Sequence, residues 1–165
     1  RRRIRGDHIG LVFQREGLFS GMSVRDNVRW PLMSGGMSRQ AATDRADAVL
    51  ERVSLRPDRD VTTLSGGERK RLALARTLGP DPSVLLMDEP FTGLDPRSLE
   101  GLLRLAVDLA SEGERTLVMV THQRADIDRL GDHVVLMSEG QIAAAGDRET
   151  MTEALDRFLE GSDLQ

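Results

Sequence analysis

Apolar residues along the chain fall into two rhythms. Ile9-Gly10-Leu11-Val12-Phe13, Val84-Leu85-Leu86-Met87, Thr116-Leu117-Val118-Met119-Val120 and Val134-Val135-Leu136-Met137 are short unbroken runs, rich in branched residues. Their length and make-up predict strands, and the run at Val84 predicts a central strand of a parallel sheet, buried on both faces. Elsewhere the apolar positions recur at helical spacing. Ser23 caps a helix through Trp30, where Pro31 bends or ends it, and Ser38 caps another to about Val53 with a stripe of Ala41, Ala42, Ala46, Val49, Leu50 and Val53. Leu64-Ser65-Gly66-Gly67-Glu68-Arg69-Lys70-Arg71 opens a third helix that ends near Gly79-Pro80. Asp95 as N-cap and Pro96 at the first helical position open a fourth, running to about Ser111 and stopped by Gly113. Glu139-Gly140 reads as a hairpin turn into Gln141-Ile142-Ala143-Ala144-Ala145, and Asp147 is expected to cap a last helix to about Leu159. The pattern gives an α/β fold in which residues 15–64 form a mostly helical insertion in a core that resumes at about residue 65 and continues to residue 165.

The ends of the strands carry the chemistry. Gln14 follows the first run, Asp88-Glu89-Pro90 the second and Thr121-His122 the third. Parallel strands deliver all of these to one edge of the sheet, which is where open α/β folds bind ligands. An acid at a strand tip can hold Mg²⁺ on a nucleotide while its neighbour orients or deprotonates a water, although two acids after a strand also describe a solvated turn. Ser65-Gly66-Gly67 at a helix start leaves N–H groups open to a phosphate, and Ser65 with Glu68 equally matches a capping box. Gly17-Leu18-Phe19-Ser20-Gly21-Met22 has an exposed-looking apolar character. With Val24, Val28 and Trp30 it suits both a partner's docking surface and a small local core. His8 and His133 flank strands away from that edge and read as structural.

Composition narrows the classes. With 23 basic and 27 acidic residues in 165, the net charge of −4 suggests no nucleic-acid partner. The cluster Arg1-Arg2-Arg3-Ile4-Arg5 reads as a solvated surface, with no apolar stretch behind it to make a signal peptide. No cysteine is present, so disulfides and thiolate metal sites are excluded. No apolar run approaches the roughly 18 residues of a membrane span.

Taken together, these stretches resemble the ATP-binding cassette ATPases, the nucleotide-binding subunits of ABC transporters. Leu64-Ser65-Gly66-Gly67-Glu68 is similar to that family's signature motif, Val84 to Glu89 to its Walker B strand with catalytic glutamate, and Gly93-Leu94-Asp95-Pro96 to its D-loop. Gln14 resembles the Q-loop and His122 the H-loop. The resemblance implies a P-loop NTPase-like parallel sheet with a helical subdomain, and an ATPase with ATP and Mg²⁺ as cofactors. It implies Glu89 and His122 as catalytic residues, with Asp88 and Gln14 at the metal. Gln14, Ser65, Gly66, Gly67, Glu68 and Asp95 would meet nucleotide, the signature residues doing so across a head-to-tail dimer of two copies. A membrane permease subunit would receive the insertion and the loop after Gln14, holding the protein peripherally at the cytoplasmic face of the membrane.

The departures carry expectations of their own. A Walker A loop, Gly-x-x-x-x-Gly-Lys followed by Ser or Thr, is absent, and Lys70 is the sole lysine. In the family that loop lies upstream of the glutamine strand. The resemblance therefore implies an N-terminally truncated, carboxyl-terminal part of the domain, expected to bind little or no ATP by itself. Glu68 stands where many relatives carry Gln, and Gln123 where Asp commonly follows the histidine. A catalytically inactive interaction module and a soluble ABC ATPase outside transport stay as alternatives to a transporter subunit. The loop Gly17-Leu18-Phe19 with Met22 to Val28 is similar to that of phospholipid-trafficking importers, which gives lipid as an expected substrate, and amino-acid importers have related loops.

Overall fold

Three of the apolar runs pair side by side in the computed structural model, which describes residues 9–112 and 115–159. β1 (Ile9–Val12), β2 (Val84–Asp88) and β3 (Thr116–Val120) form a sheet in that order, parallel throughout. Val12 sits beside Met87, and Asp88 beside Val120, so all three strands point their carboxyl ends at one edge. The arginine-rich start, His8 and the helix stop expected at Gly113 lie outside the described residues. The chain divides into two compact units, the first running to Val120 and the second from Thr121.

Helices fill the crossovers of the first unit. α1 (Val24–Ser34), α2 (Arg39–Arg52) and α3 (Gly66–Leu78) join β1 to β2, and α4 (Pro96–Ser111) joins β2 to β3. Ser23 and Ser38 accept the amides of Asp26 and Ala41 and so satisfy two otherwise unpaired donors at their helix starts. Val24, Val28 and Leu32 on α1, Ala42, Ala46, Val49 and Leu50 on α2, and Leu72, Ala75 and Leu78 on α3 are buried. Removing a fully buried branched side chain such as Leu50 from a packed core costs about 2–5 kcal/mol. Arg45 donates to the carbonyls of Gly79 and Leu78 at 2.9 and 3.1 Å, closing the carboxyl end of α3.

Pro31 does not end α1. The helix continues to Ser34, because the proline removes one ladder bond while the stripe Val24, Val28, Leu32 stays buried through the last turn. The local-core reading of the apolar loop is half right. Val24 and Val28 are core, whereas Phe19 and Trp30 are 41% and 50% exposed and stack edge-on at 5.7 Å. Buried Asn27 shapes that loop by accepting the Phe19 amide and donating to the carbonyls of Phe19 and Ser23.

The expectation that β2 is buried on both faces is corrected by the structure: Leu85 and Met87 are buried, whereas Val84 and Leu86 on the opposite side are only half-buried. Val12 and Met87 pack under α3 and α4 with Ala73, Leu74, Leu102 and Ala106. On the other face Ile9, Leu11, Val118 and Val120 are exposed, because the helices of the first unit cover one side only. Their apolar character made the runs look doubly buried.

In the second unit, α5 (Arg124–Leu130) precedes an antiparallel hairpin of β4 (His133–Ser138) and β5 (Gln141–Asp147), followed by α6 (Thr152–Leu159). Glu139 and Gly140 both have positive φ, 50° and 78°, as a two-residue hairpin turn with strand-matching twist requires. Val134, Leu136, Met151 and Leu155 make its core. Asp147 does not cap the last helix. It ends β5 facing His133, and a turn through Thr150 intervenes because the strand extends two residues beyond Ala145.

Candidate functional site

Where β2 runs out, Pro90 has no N–H to continue the ladder and the chain turns away from the sheet. Asp88 is exposed at the strand's tip. Glu89 follows with φ 44°, a left-handed conformation rare for a residue with a side chain. Its amide still donates to the Val120 carbonyl at 2.9 Å. The Glu89 carboxylate accepts from the side-chain Nε2 of Gln14 at 3.2 Å and from the hydroxyl of Thr92 at 3.2 Å. Gln14 and Glu89 are 75 residues apart in the chain, so only the parallel pairing of β1 and β2 unites them.

Behind Gln14 the loop is fastened to α3. Arg76 donates to the carbonyls of Glu16 and Gly17, both at 2.7 Å, and its guanidinium lies 5.9 Å from the centre of the Phe19 ring. The glutamine therefore leaves the strand into a braced segment.

The start of α3 forms both bonds of the capping box. Ser65 accepts the Glu68 amide at 3.3 Å, and the Glu68 carboxylate accepts the Ser65 amide at 2.8 Å. Arg59 donates to the same carboxylate and to the Thr63 carbonyl. These contacts, the Ser65 amide first, hold Glu68 below the ordinary glutamate pKa. The two glycines differ. A β-carbon on Gly67 would lie 2.3 Å from the Ser98 hydroxyl, whereas one on Gly66 would meet nothing within 4 Å. Close packing against α4 explains the first, and nothing within the described chain requires the second.

Asp95 caps α4 as its sequence position predicts, accepting the amides of Arg97 and Ser98 at 3.1 and 3.0 Å. Ser98, before the other donors, keeps its pKa below the usual aspartate value. In the second unit exposed His122 lies in a turn where Thr121 donates to buried Asp126 at 2.8 Å and accepts the Gln123 amide.

Three participants escaped the sequence reading. Thr92 supports Glu89, Arg59 supports Glu68, and Lys70 donates to the carbonyls of Thr92, Pro90 and Glu89 at 2.7, 2.9 and 3.4 Å. Burial lowers the pKa of the Lys70 ammonium, while the carboxylates of Glu16 and Glu89 oppose that shift. Its being the one lysine in an arginine-rich chain was the available signal.

The sequence profile described as "ABC transporter" matches residues 1–92. The methionine import ATP-binding protein MetN of Protochlamydia amoebophila is 34% identical over 141 residues, covering 84% of this chain and 41% of that protein. The glutamate transport ATP-binding protein GluA of Corynebacterium efficiens is 38% identical over 151 residues, covering 90% of this chain and 62% of that protein. Among solved structures, cbiO1 of Clostridium perfringens, part of the ABC transporter complex cbiONQ, matches with a TM-score of 0.79 and 31% identity over 91% of this chain and 61% of that one. The ATP-binding cassette MJ0796, a dimer in a post-hydrolysis state bound to ADP and Pi, matches with a TM-score of 0.74 and 31% identity, over 86% and 63% respectively. The chain thus spans about half the length of the curated relatives it matches.

Proposed function

Because the chain belongs to the ABC transporter family, we propose that the full-length protein is the ATP-hydrolysing subunit of an importer. The observation that carries this reading is the meeting of Gln14 and Glu89 at the edge where Asp88 also ends its strand. Glu89, whose carboxylate accepts hydrogen bonds from Gln14 and Thr92, would polarise the attacking water, and His122 would act on the γ-phosphate. Asp88 and Gln14 would hold Mg²⁺, whose chemistry is to neutralise developing phosphate charge. The donor set fits that ion, since a carboxylate and a side-chain amide offer it hard oxygens. Mg²⁺ takes most of its ligands from water and phosphates, so a single carboxylate and an amide suffice.

The signature turn supports a head-to-tail dimer. Gly66 opens onto free space at a helix start whose first N–H groups attract anions, so a phosphate held by a second copy can approach the backbone. Ser65, Gly67 and Glu68 shape that turn, and Asp95 caps the helix beside it. The segment 15–64 serves as the subdomain that receives a permease, through exposed Phe19, Trp30, Met33 and Met37. No helix of the described residues is long and apolar enough to cross a membrane, which suits a peripheral subunit anchored by that permease at the cytoplasmic face. The two curated relatives named above are a methionine import and a glutamate transport protein by name, which favours a small amino-acid solute; the lipid expected from the loop has no support in either name.

The test is Mg-ATP hydrolysis by the purified full-length protein, with its oligomeric state followed by light scattering. Hydrolysis together with ATP-dependent dimerisation is expected. Failure to hydrolyse ATP, with and without its permease, contradicts the assignment.

A further inference from the structure

We infer that Lys70 is a positioning residue for Glu89, clamping the backbone that carries the carboxylate at the sheet edge. This rests on the reading of Glu89 as the group that works on the attacking water. Lys70 lies on α3, one turn beyond the Ser65-Gly66-Gly67 start, and its half-buried side chain reaches across to the segment after β2. There it converges on three carbonyls within four residues. The contacts to Thr92 and Pro90 are short, at 2.7 and 2.9 Å, and that to Glu89 is longer at 3.4 Å. An ammonium has three donors and no acceptor, so these carbonyls occupy it fully.

The clamp has a reason to exist. Glu89 sits at φ 44°, a left-handed conformation that is costly for a residue with a side chain and persists only where surroundings enforce it. The Val120 carbonyl fixes the Glu89 amide from one side, and Lys70 fixes the carbonyls of Glu89, Pro90 and Thr92 from the other. Thr92 in turn donates its hydroxyl to the Glu89 carboxylate, so the backbone oxygen that Lys70 holds most tightly belongs to a residue orienting that carboxylate. A lysine placed this way acts through Glu89 and Thr92 rather than on a phosphate. Its function is orientation, which should register in turnover and leave ATP affinity alone.

The test is Lys70→Met in the full-length protein, which keeps the apolar stem and removes every donor. Per folded molecule, kcat should fall about 10- to 100-fold, as expected for a displaced base, with KM for ATP within about twofold of the wild type. Amide hydrogen exchange of residues 89–93 should quicken at least about tenfold without nucleotide, while exchange in α1 and α2 stays unchanged. Where Lys70→Met fails to fold, Lys70→Gln serves with the same expectations. Unchanged kcat per folded molecule overturns the inference in a wild type that hydrolyses ATP. If the wild type hydrolyses none, the functional reading fails on its own, and unchanged exchange at 89–93 then overturns the clamp separately.

Discussion

At the first turn of α3, Ser65, Gly67 and Glu68 are each occupied by neighbours close in sequence or by the helix alongside, whereas at the tip of β2 Glu89 is met by Gln14 from 75 residues away. Both stretches look chemical in the sequence. At the helix start three of the four residues have sufficient local reasons to be what they are, and only Gly66 does not. At the strand tip the arrangement has no local origin: neither Asp88-Glu89 nor Gln14 explains the other until two strands run parallel. The signature turn is therefore weak support for function residue by residue, apart from its one open glycine, and the sheet edge is the stronger support.

Substitutions can break this contrast. Gly67→Ala should destabilise the full-length protein most, by about 1–3 kcal/mol in denaturant melts, since its new methyl must displace Ser98. Ser65→Ala should follow at about 1 kcal/mol for loss of the cap. Next comes acid. The folded pKa values of Glu68 and Asp95 are lowered, so the stability they contribute is complete above the ordinary carboxylate pKa of about 4 and is lost as pH falls through the folded values. Thermal melts should show a shallower acid-side decline in Glu68→Gln than in the wild type. Gly66→Ala should have the smallest effect on folding, within about 0.5 kcal/mol, because its added carbon meets nothing. The same variant should nonetheless slow ATP turnover. Full turnover in Gly66→Ala would remove the phosphate role from that turn and leave it a capped helix start.

Much of this arrangement is legible in the sequence. Uninterrupted apolar runs marked the strands, and polar residues at their ends marked one edge, since parallel pairing fixes direction. Serine and aspartate caps marked helix starts because their side chains answer a purely local need. Pro31 misled because burial of Leu32 outweighs one missing ladder bond, and Asp147 misled because an aspartate before a helical stretch serves a strand end and hairpin equally well. The open face of the sheet could not be read, since an apolar side chain does not declare what covers it. Thr92, Arg59 and Lys70 were hidden for a related reason. Their partners are backbone carbonyls or single side chains brought close by folding, which leave no periodic trace.

The most direct measurement compares Mg-ATP turnover and equilibrium ATP binding in wild-type and Glu89→Gln full-length protein. If the parallel strands bring a base to the triphosphate, turnover falls by about 10²-fold or more while ATP affinity is retained. Turnover equal to the wild type's would remove Glu89 from the chemistry and with it the meaning assigned to that edge.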